Sequence, residues 1–116
     1  MRMWMANPKC MCKKYLNTEH YELHILFGSI KKNPNNNTIK TLTERGYIEP
    51  KSIYDRHEEL VKELLKRNIK HNSPMDYNEF KEAFNKLSQE VKKGIIDKKK
   101  SSLILFKKCN ECEKEK

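Results

Sequence analysis

The chain has 116 residues, of which 35% are charged and 36% hydrophobic, a length and balance that suit one domain with a core of modest volume. Its longest uninterrupted apolar run, Leu103-Ile104-Leu105-Phe106, is far too short to span a bilayer, and the opening MRMWM lacks the apolar stretch of a secretory leader, so an intracellular protein with no membrane partner is expected. With 25 Lys+Arg against 16 Asp+Glu the net charge is +9 and the pI about 9.4, an excess that favours a polyanionic partner over solubility alone.

In chain order, residues 1–9 contain Pro8 and read as an extended arm. From about Cys12 to Lys32 the pattern turns helical, with Leu16, Leu23, Phe27 and Ile30 on one face. The run Asn33-Pro34-Asn35-Asn36-Asn37 breaks it and reads as a mobile loop. Thr38–Arg45 forms a short helix ended by Gly46. Another helix spans about Ser52–Asn68, with Ile53, Leu60, Val61, Leu64 and Leu65 as its buried stripe and Glu58–Lys62 and Glu63–Arg67 as exposed i,i+4 pairs. Asn72-Ser73-Pro74 is a loop. Asp76 looks like an N-cap with Glu79 three residues on, opening a helix that Phe80, Phe84, Leu87 and Val91 continue at core spacing. A last short helix covers roughly Lys100–Lys108, and residues 113–116 form a charged, frayed tail. Since no stretch alternates as a strand would, the expected class is all-α: a compact domain of three to four helices with the N-terminal arm threaded between them.

Four features carry chemistry: the arm Met1-Arg2-Met3-Trp4, the segment Glu19-His20-Tyr21-Glu22-Leu23-His24, the segment Arg56-His57-Glu58-Glu59-Leu60, and the cysteines Cys10-x-Cys12 and Cys109-x-x-Cys112. In a reducing compartment such cysteines are thiols or metal ligands rather than disulfides. His20-x-x-x-His24 on one helix face together with Cys109 and Cys112 would make a Cys₂His₂ zinc set, and Cys12 with Cys109 and Cys112 an alternative one. Equally, His20 and His24 can be ordinary buried histidines, since at 100° per residue they point away from Glu22.

The stretch LNTEHYELHILFGSIKK at residues 16–32 resembles the first helix of the pyrimidine-dimer DNA glycosylases, the family of phage endonuclease V. The opening MRMW…NPK…C is similar to the bacterial and viral branch of that family, as is RHEELVKELLKRNIKHNSPM at residues 56–75. The likeness covers residues 1–75 and thins afterwards, with only Cys109-x-x-Cys112 reminiscent.

The resemblance implies DNA repair on double-stranded DNA containing cyclobutane pyrimidine dimers, by glycosylase action coupled to abasic-site lyase activity, in a monomer that needs no cofactor for catalysis; a structural zinc is compatible with it. In the family the α-amine of the chain start attacks C1′ of the damaged nucleotide, the base leaves, a Schiff base forms, and β-elimination nicks the strand. An α-amine titrates near about 7.7–8.0 and a lysine near about 10.4, so far more of the former is uncharged at neutral pH. The nucleophile position falls on Met1 and the family's catalytic glutamate on Glu22, whose carboxylate would stabilise oxocarbenium-like charge on the sugar. Arg2 matches a phosphate-holding arginine beside the nucleophile.

Two DNA-contacting arginines of the phage relative correspond here to Tyr21 and Ile25, and an active-site histidine to Tyr15. The phosphate contacts would then fall to Lys13, Lys14, Lys31 and Lys32. His57 lies on the inner face of its helix with Leu60 and Leu64, Arg56 beside it is placed to turn outward to DNA, and the resemblance makes both candidates for the active-site wall. Trp4 and Tyr21 are positioned to stack on bases, although Trp4 serves equally as an anchor for the arm. The alternative to an enzyme is a non-catalytic basic module that only holds phosphates, or a small zinc-stabilised interaction protein.

Overall fold

The computed structural model describes residues 1–70 and 74–112. Among them lie six α-helices and no strand: α1 (Lys13–Lys32), α2 (Asn37–Glu44), α3 (Ile53–Lys66), α4 (Tyr77–Asn85), α5 (Gln89–Lys92) and α6 (Lys98–Lys108), with 3₁₀ turns at Pro8–Cys10 and Pro50–Ser52. The all-helical class expected from periodicity holds. The helices outnumber the expected three to four in part because the stretch from Phe80 to Val91 is two helices. Ser88 stops the first of them and caps the second, its hydroxyl accepting from the Val91 N–H at 3.3 Å. The charged tail at residues 113–116 and most of the loop at residues 72–74 lie outside the described residues.

The core is built on the longest helix. Leu16, Leu23, Phe27 and Ile30 of α1 are all buried, joined by Leu26, and they meet Ile53, Leu60 and Leu64 of α3 and Phe80 of α4. On α3 the buried stripe is narrower than expected: Leu65 is 56% exposed and Val61 half-buried. Asp76 caps α4 as expected, its carboxylate accepting from the Glu79 N–H at 3.0 Å. The asparagine loop is tightly bonded rather than loose. Asn36 accepts from the Ile39 N–H at 2.8 Å to cap α2, and its amide nitrogen donates back to Ser29 Oγ at 3.0 Å.

Two further contacts fix the frame that holds the N-terminal residues. α2 ends at Gly46, whose φ of +73° is the left-handed conformation that a Schellman ending requires, with Tyr47 N–H donating to Leu42 O at 3.0 Å. Gly94, just after α5, sits so close to α2 that a Cβ there would lie 2.2 Å from Thr43 Cγ2, so only glycine permits the approach.

Candidate active site

Residues 1–7 take no regular structure, yet Met3, Trp4 and Ala6 are buried. Each is held by the frame around it. Met3 N–H donates to Tyr47 O at 2.8 Å; Ser101 Oγ of α6 donates to Trp4 O at 2.6 Å; Arg56 Nη1 of α3 donates to Ala6 O at 2.8 Å. The Trp4 ring meets Tyr15 of α1 edge-on at 6.0 Å, which makes Trp4 an anchor and removes it from the surface where bases stack. Met5 adopts a positive φ of 56° between these anchored residues.

The anchored segment brings the start of the chain to Glu22. The backbone N–H of Arg2 donates to Glu22 Oε2 at 3.2 Å, and Met1 lies beyond it with 48% of its surface exposed. The Arg2 guanidinium is stacked between two rings, 4.4 Å from the Trp4 centroid and 4.8 Å from the Tyr47 centroid. Its Nε is buried with no hydrogen-bond partner among the described residues. Such stacking holds a cation in place. Within one half-exposed patch the structure therefore collects an α-amine-bearing residue, a carboxylate and a fixed guanidinium.

The expected phosphate ligands Lys13, Lys14, Lys31 and Lys32, and the expected stacking residue Tyr21, all lie on exposed positions of α1. Lys31 is already paired, its Nζ 3.4 Å from Glu79 Oε2. Tyr21 is 66% exposed.

Arg56 departs from expectation. It does not reach outward to DNA: it is 2% exposed and forks onto the buried Glu19 of α1, with Nε 2.5 Å from Oε2 and Nη2 3.0 Å from Oε1. It also pairs with Glu59. Burial alone would push the guanidinium down, but the hydrogen bonds and charge of Glu19, and then of Glu59, outweigh it and hold Arg56 above its ordinary value. A buried charge survives only when paired, and the Glu19–Arg56 pair thus bolts α1 to α3. His57 is likewise withdrawn from any DNA-facing wall, at 1% exposure. It packs against His20 and His24, its Nε2 lying 3.2 Å from His20 Nε2 and 3.1 Å from His24 Nε2. The fourth histidine of the sequence, His71, lies outside the described residues.

The cysteines form a separate group. The ligand atoms of Cys12, Cys109 and Cys112 lie within 4.8 Å of one another. Cys12 N–H donates to Cys112 Sγ at 3.3 Å, Cys112 N–H to Cys109 Sγ at 3.1 Å, and the Cys109 and Cys12 sulfurs are 3.6 Å apart. Burial and the bond with Cys109 push the Cys112 thiol up to about 12. Burial pushes Cys109 up as well, but hydrogen bonds from Cys112, Cys12 and the backbone overcome it and leave that thiol below its ordinary value. Of the two zinc sets expected from sequence, the structure assembles the three cysteines. It does not assemble Cys₂His₂, because His20 and His24 turn to His57 instead.

Sequence reasoning missed Glu49. It is 4% exposed; its carboxylate accepts from Ile96 N–H at 2.9 Å and from the Ser52 hydroxyl, while its own N–H meets Met3 Sδ at 3.4 Å. The residue ties the end of the N-terminal segment's cradle to the entry of α6. Nothing in its local pattern distinguishes it from a surface glutamate.

Among the described residues the domain is all-helical and sets its first residues, a carboxylate and a guanidinium in one half-exposed patch. The family model of the pyrimidine dimer DNA glycosylases matches residues 1–77, and the chain belongs to that family. The matched span includes the N-terminal segment, α1, α2 and α3, and therefore Glu22, Arg2 and Tyr47, while Ser101 and Ile96 lie beyond it. No curated protein matches the chain, and no solved structure does. Among the described residues no helix is long and apolar enough to cross a membrane.

Proposed function

We propose that this chain is a pyrimidine-dimer glycosylase whose base excision is coupled to abasic-site lyase activity, with the α-amine of Met1 as nucleophile and Glu22 as its carboxylate partner. The observation that carries the reading is the 3.2 Å hydrogen bond from Arg2 N–H to Glu22 Oε2, since it sets the chain's first peptide group against a carboxylate at a half-exposed surface.

The neutral amine adds to C1′ of a nucleotide in the dimer as the glycosidic C1′–N bond breaks, with the bonding pair leaving on the base. Positive charge that develops on the sugar is opposed by Glu22. The nitrogen then loses a proton, O4′ takes one up as the C1′–O4′ bond opens, and the protonated imine results. Removal of a C2′ proton expels the 3′ phosphate, and water hydrolyses the imine to free the enzyme. Glu22 is the carboxylate within reach for the proton transfers at that stage. Arg2, fixed between Trp4 and Tyr47, holds a phosphate beside the lesion. Lys13, Lys14 and Lys32 neutralise flanking phosphates, and Tyr21 stacks on an exposed base. Reaching C1′ requires a kinked duplex or a flipped base, whose unstacking costs a few kcal/mol and least at a damaged step.

Cys12, Cys109 and Cys112 hold a structural metal ion, zinc being the cation that thiolate sets favour. It would fasten the end of α6 to the N-cap of α1, where Cys12 stands.

The experiment is borohydride trapping on ultraviolet-irradiated duplex DNA. The reading expects a covalent protein–DNA adduct, because the imine is reducible. Absence of an adduct with both dimer-containing and abasic duplexes would leave a module that only binds DNA.

A further inference from the structure

We propose that His20, His24 and His57 form a second metal site, specific for a divalent transition ion such as Zn²⁺ and distinct from both the cysteine group and the Glu22 patch. The spacing begins the argument. Residues four apart on a helix lie one above the other, so α1 presents two imidazoles side by side, and α3 sets His57 opposite them.

The nitrogens converge at ligand spacing. His57 Nε2 is 3.2 Å from His20 Nε2 and 3.1 Å from His24 Nε2, and one ring nitrogen from each of the three lies within 4.8 Å of the others. Zn–N bonds of about 2.0–2.1 Å at tetrahedral angles put ligand atoms about 3.3–3.4 Å apart. The observed spacings are within a few tenths of an ångström of that edge for two of the three pairs. His24 stands edge-on to both partners, at 80° to His20 and 87° to His57, while His20 and His57 are tilted by 32° with centroids 4.9 Å apart.

One ligand has its orienting partner. His57 Nδ1 lies 3.0 Å from Glu58 Oε1. A carboxylate there fixes the Nδ1–H tautomer and leaves the Nε2 lone pair aimed at the other two histidines, the arrangement in which metal-bound imidazoles are commonly held. That single lone pair faces two ring nitrogens; a cation at the centre would be met by three lone pairs at once. The donor set also selects the ion. Three neutral imidazoles without a carboxylate suit Zn²⁺, Co²⁺, Ni²⁺ or Cu²⁺, whereas Mg²⁺ and Ca²⁺ require oxygen ligands. His20 and His24 are half-buried and His57 is buried.

The site lies where it would stiffen the enzyme without entering its chemistry. Glu22 is two residues from each α1 histidine, or about 200° around the helix, and faces the opposite way. The adjoining residues Glu19 and Arg56 already bolt the same two helices together. A metal at the neighbouring turn would double that bolt, and α1 is the helix that carries Glu22.

The test is metal stoichiometry on the full chain, with Zn²⁺ or Co²⁺ added after treatment with a chelator. Wild-type protein should take up two equivalents, one at each site, and His24→Ala only one. Protein carrying Cys109→Ser and Cys112→Ser should still bind one Co²⁺, with visible d–d bands and no thiolate-to-cobalt charge-transfer absorption. Glu58→Gln alters a half-exposed side chain and leaves the core intact; it should weaken Co²⁺ at the histidine site roughly 10–100-fold and spare the cysteine site. Uptake of a single equivalent by wild-type protein, lost with the cysteines and unaffected by His24→Ala or Glu58→Gln, would overturn the proposal.

Discussion

The Arg2 N–H and the Glu22 carboxylate meet at 3.2 Å, and this contact separates two roles that Glu22 can play. In Glu22→Gln the amide oxygen still accepts from Arg2, so the chain start stays in place while the charge is lost. Binding to dimer-containing DNA should persist and base excision should fall roughly a hundredfold or more, measured as single-turnover release of the damaged base. Glu22→Ala should lose both the charge and the positioning of the chain start. Excision by Glu22→Gln within about tenfold of wild type would make Glu22 an ordinary helix glutamate.

Arg56 and Glu19 predict a different pattern. Removing one member of a buried pair strands the other charge and typically costs about 3–5 kcal/mol. Arg56→Met should therefore lower stability by that order in urea unfolding, and more than Lys13→Met or Lys32→Met. It should leave the salt slope of DNA binding unchanged in the fraction that remains folded. A variant of full stability with weakened, less salt-sensitive DNA binding would return Arg56 to the phosphate-contact role.

That Arg56 reads as a surface cation from sequence shows where pattern reasoning stops. Periodicity gave α1 to within one residue of its start, because four apolar residues repeat on one face and the Asn-Pro break follows directly. The caps at Asp76 and the end at Gly46 were equally legible, since both depend on local backbone chemistry. The break at Ser88 was not read, because Leu87 and Val91 keep helical spacing across it. Beyond the i,i+3 contacts to Glu59 and Ser52, the partners that bury Glu19, Glu49 and Arg56 lie 37 to 50 residues away, and no local pattern announces such a pair. The histidine cluster was half legible: spacing put His20 and His24 on one face, but only the packing of α3 against α1 names His57 as the third member.

The cysteine group should show a pH signature after chelation. Cys112 is raised to about 12, so the folded state holds that proton more tightly than the unfolded chain. Its contribution to stability is fully present below the ordinary thiol range near pH 9 and is lost as pH climbs toward about 12. Cys109 is lowered and acts with the opposite sign: its contribution is present above the ordinary thiol range and is lost as pH falls. The stability difference between wild type and Cys112→Ser in chelator should narrow from about pH 9 upward. A difference that stays constant across that window would contradict the raised thiol.

The net charge of +9 predicts that non-specific DNA affinity falls steeply with salt, by about 0.9 powers of salt concentration for each phosphate neutralised. The lysines should not be equivalent. Lys31 already faces Glu79, so Lys31→Ala should change the slope less than Lys13→Ala or Lys32→Ala. Equal losses for all three, read from binding isotherms at several salt concentrations, would show that the Lys31–Glu79 pair opens on DNA.

The identity of the nucleophile is the sharpest test of the mechanism, because the chain is rich in lysines and any of them can in principle form an imine. The proposal requires the α-amine of Met1. Met1 is exposed while the next residues are anchored by Tyr47, Ser101 and Glu22, so chemistry confined to the first nitrogen leaves the cradle intact. Acylating that nitrogen turns it into an amide with no basic lone pair. An uncleaved N-terminal extension should abolish excision and nicking alike, whereas the same extension after residue 116 should be tolerated. Steric exclusion of DNA by the extension is controlled by the smallest available change, selective modification of the α-amine near neutral pH, where α-amines as a class react ahead of lysines. The modified protein should keep its affinity for dimer-containing DNA and lose borohydride trapping. Should the extended protein still nick that DNA, with peptide mapping placing the trapped sugar on a lysine, Met1 is not the nucleophile, and the Arg2–Glu22 contact serves only to anchor the chain.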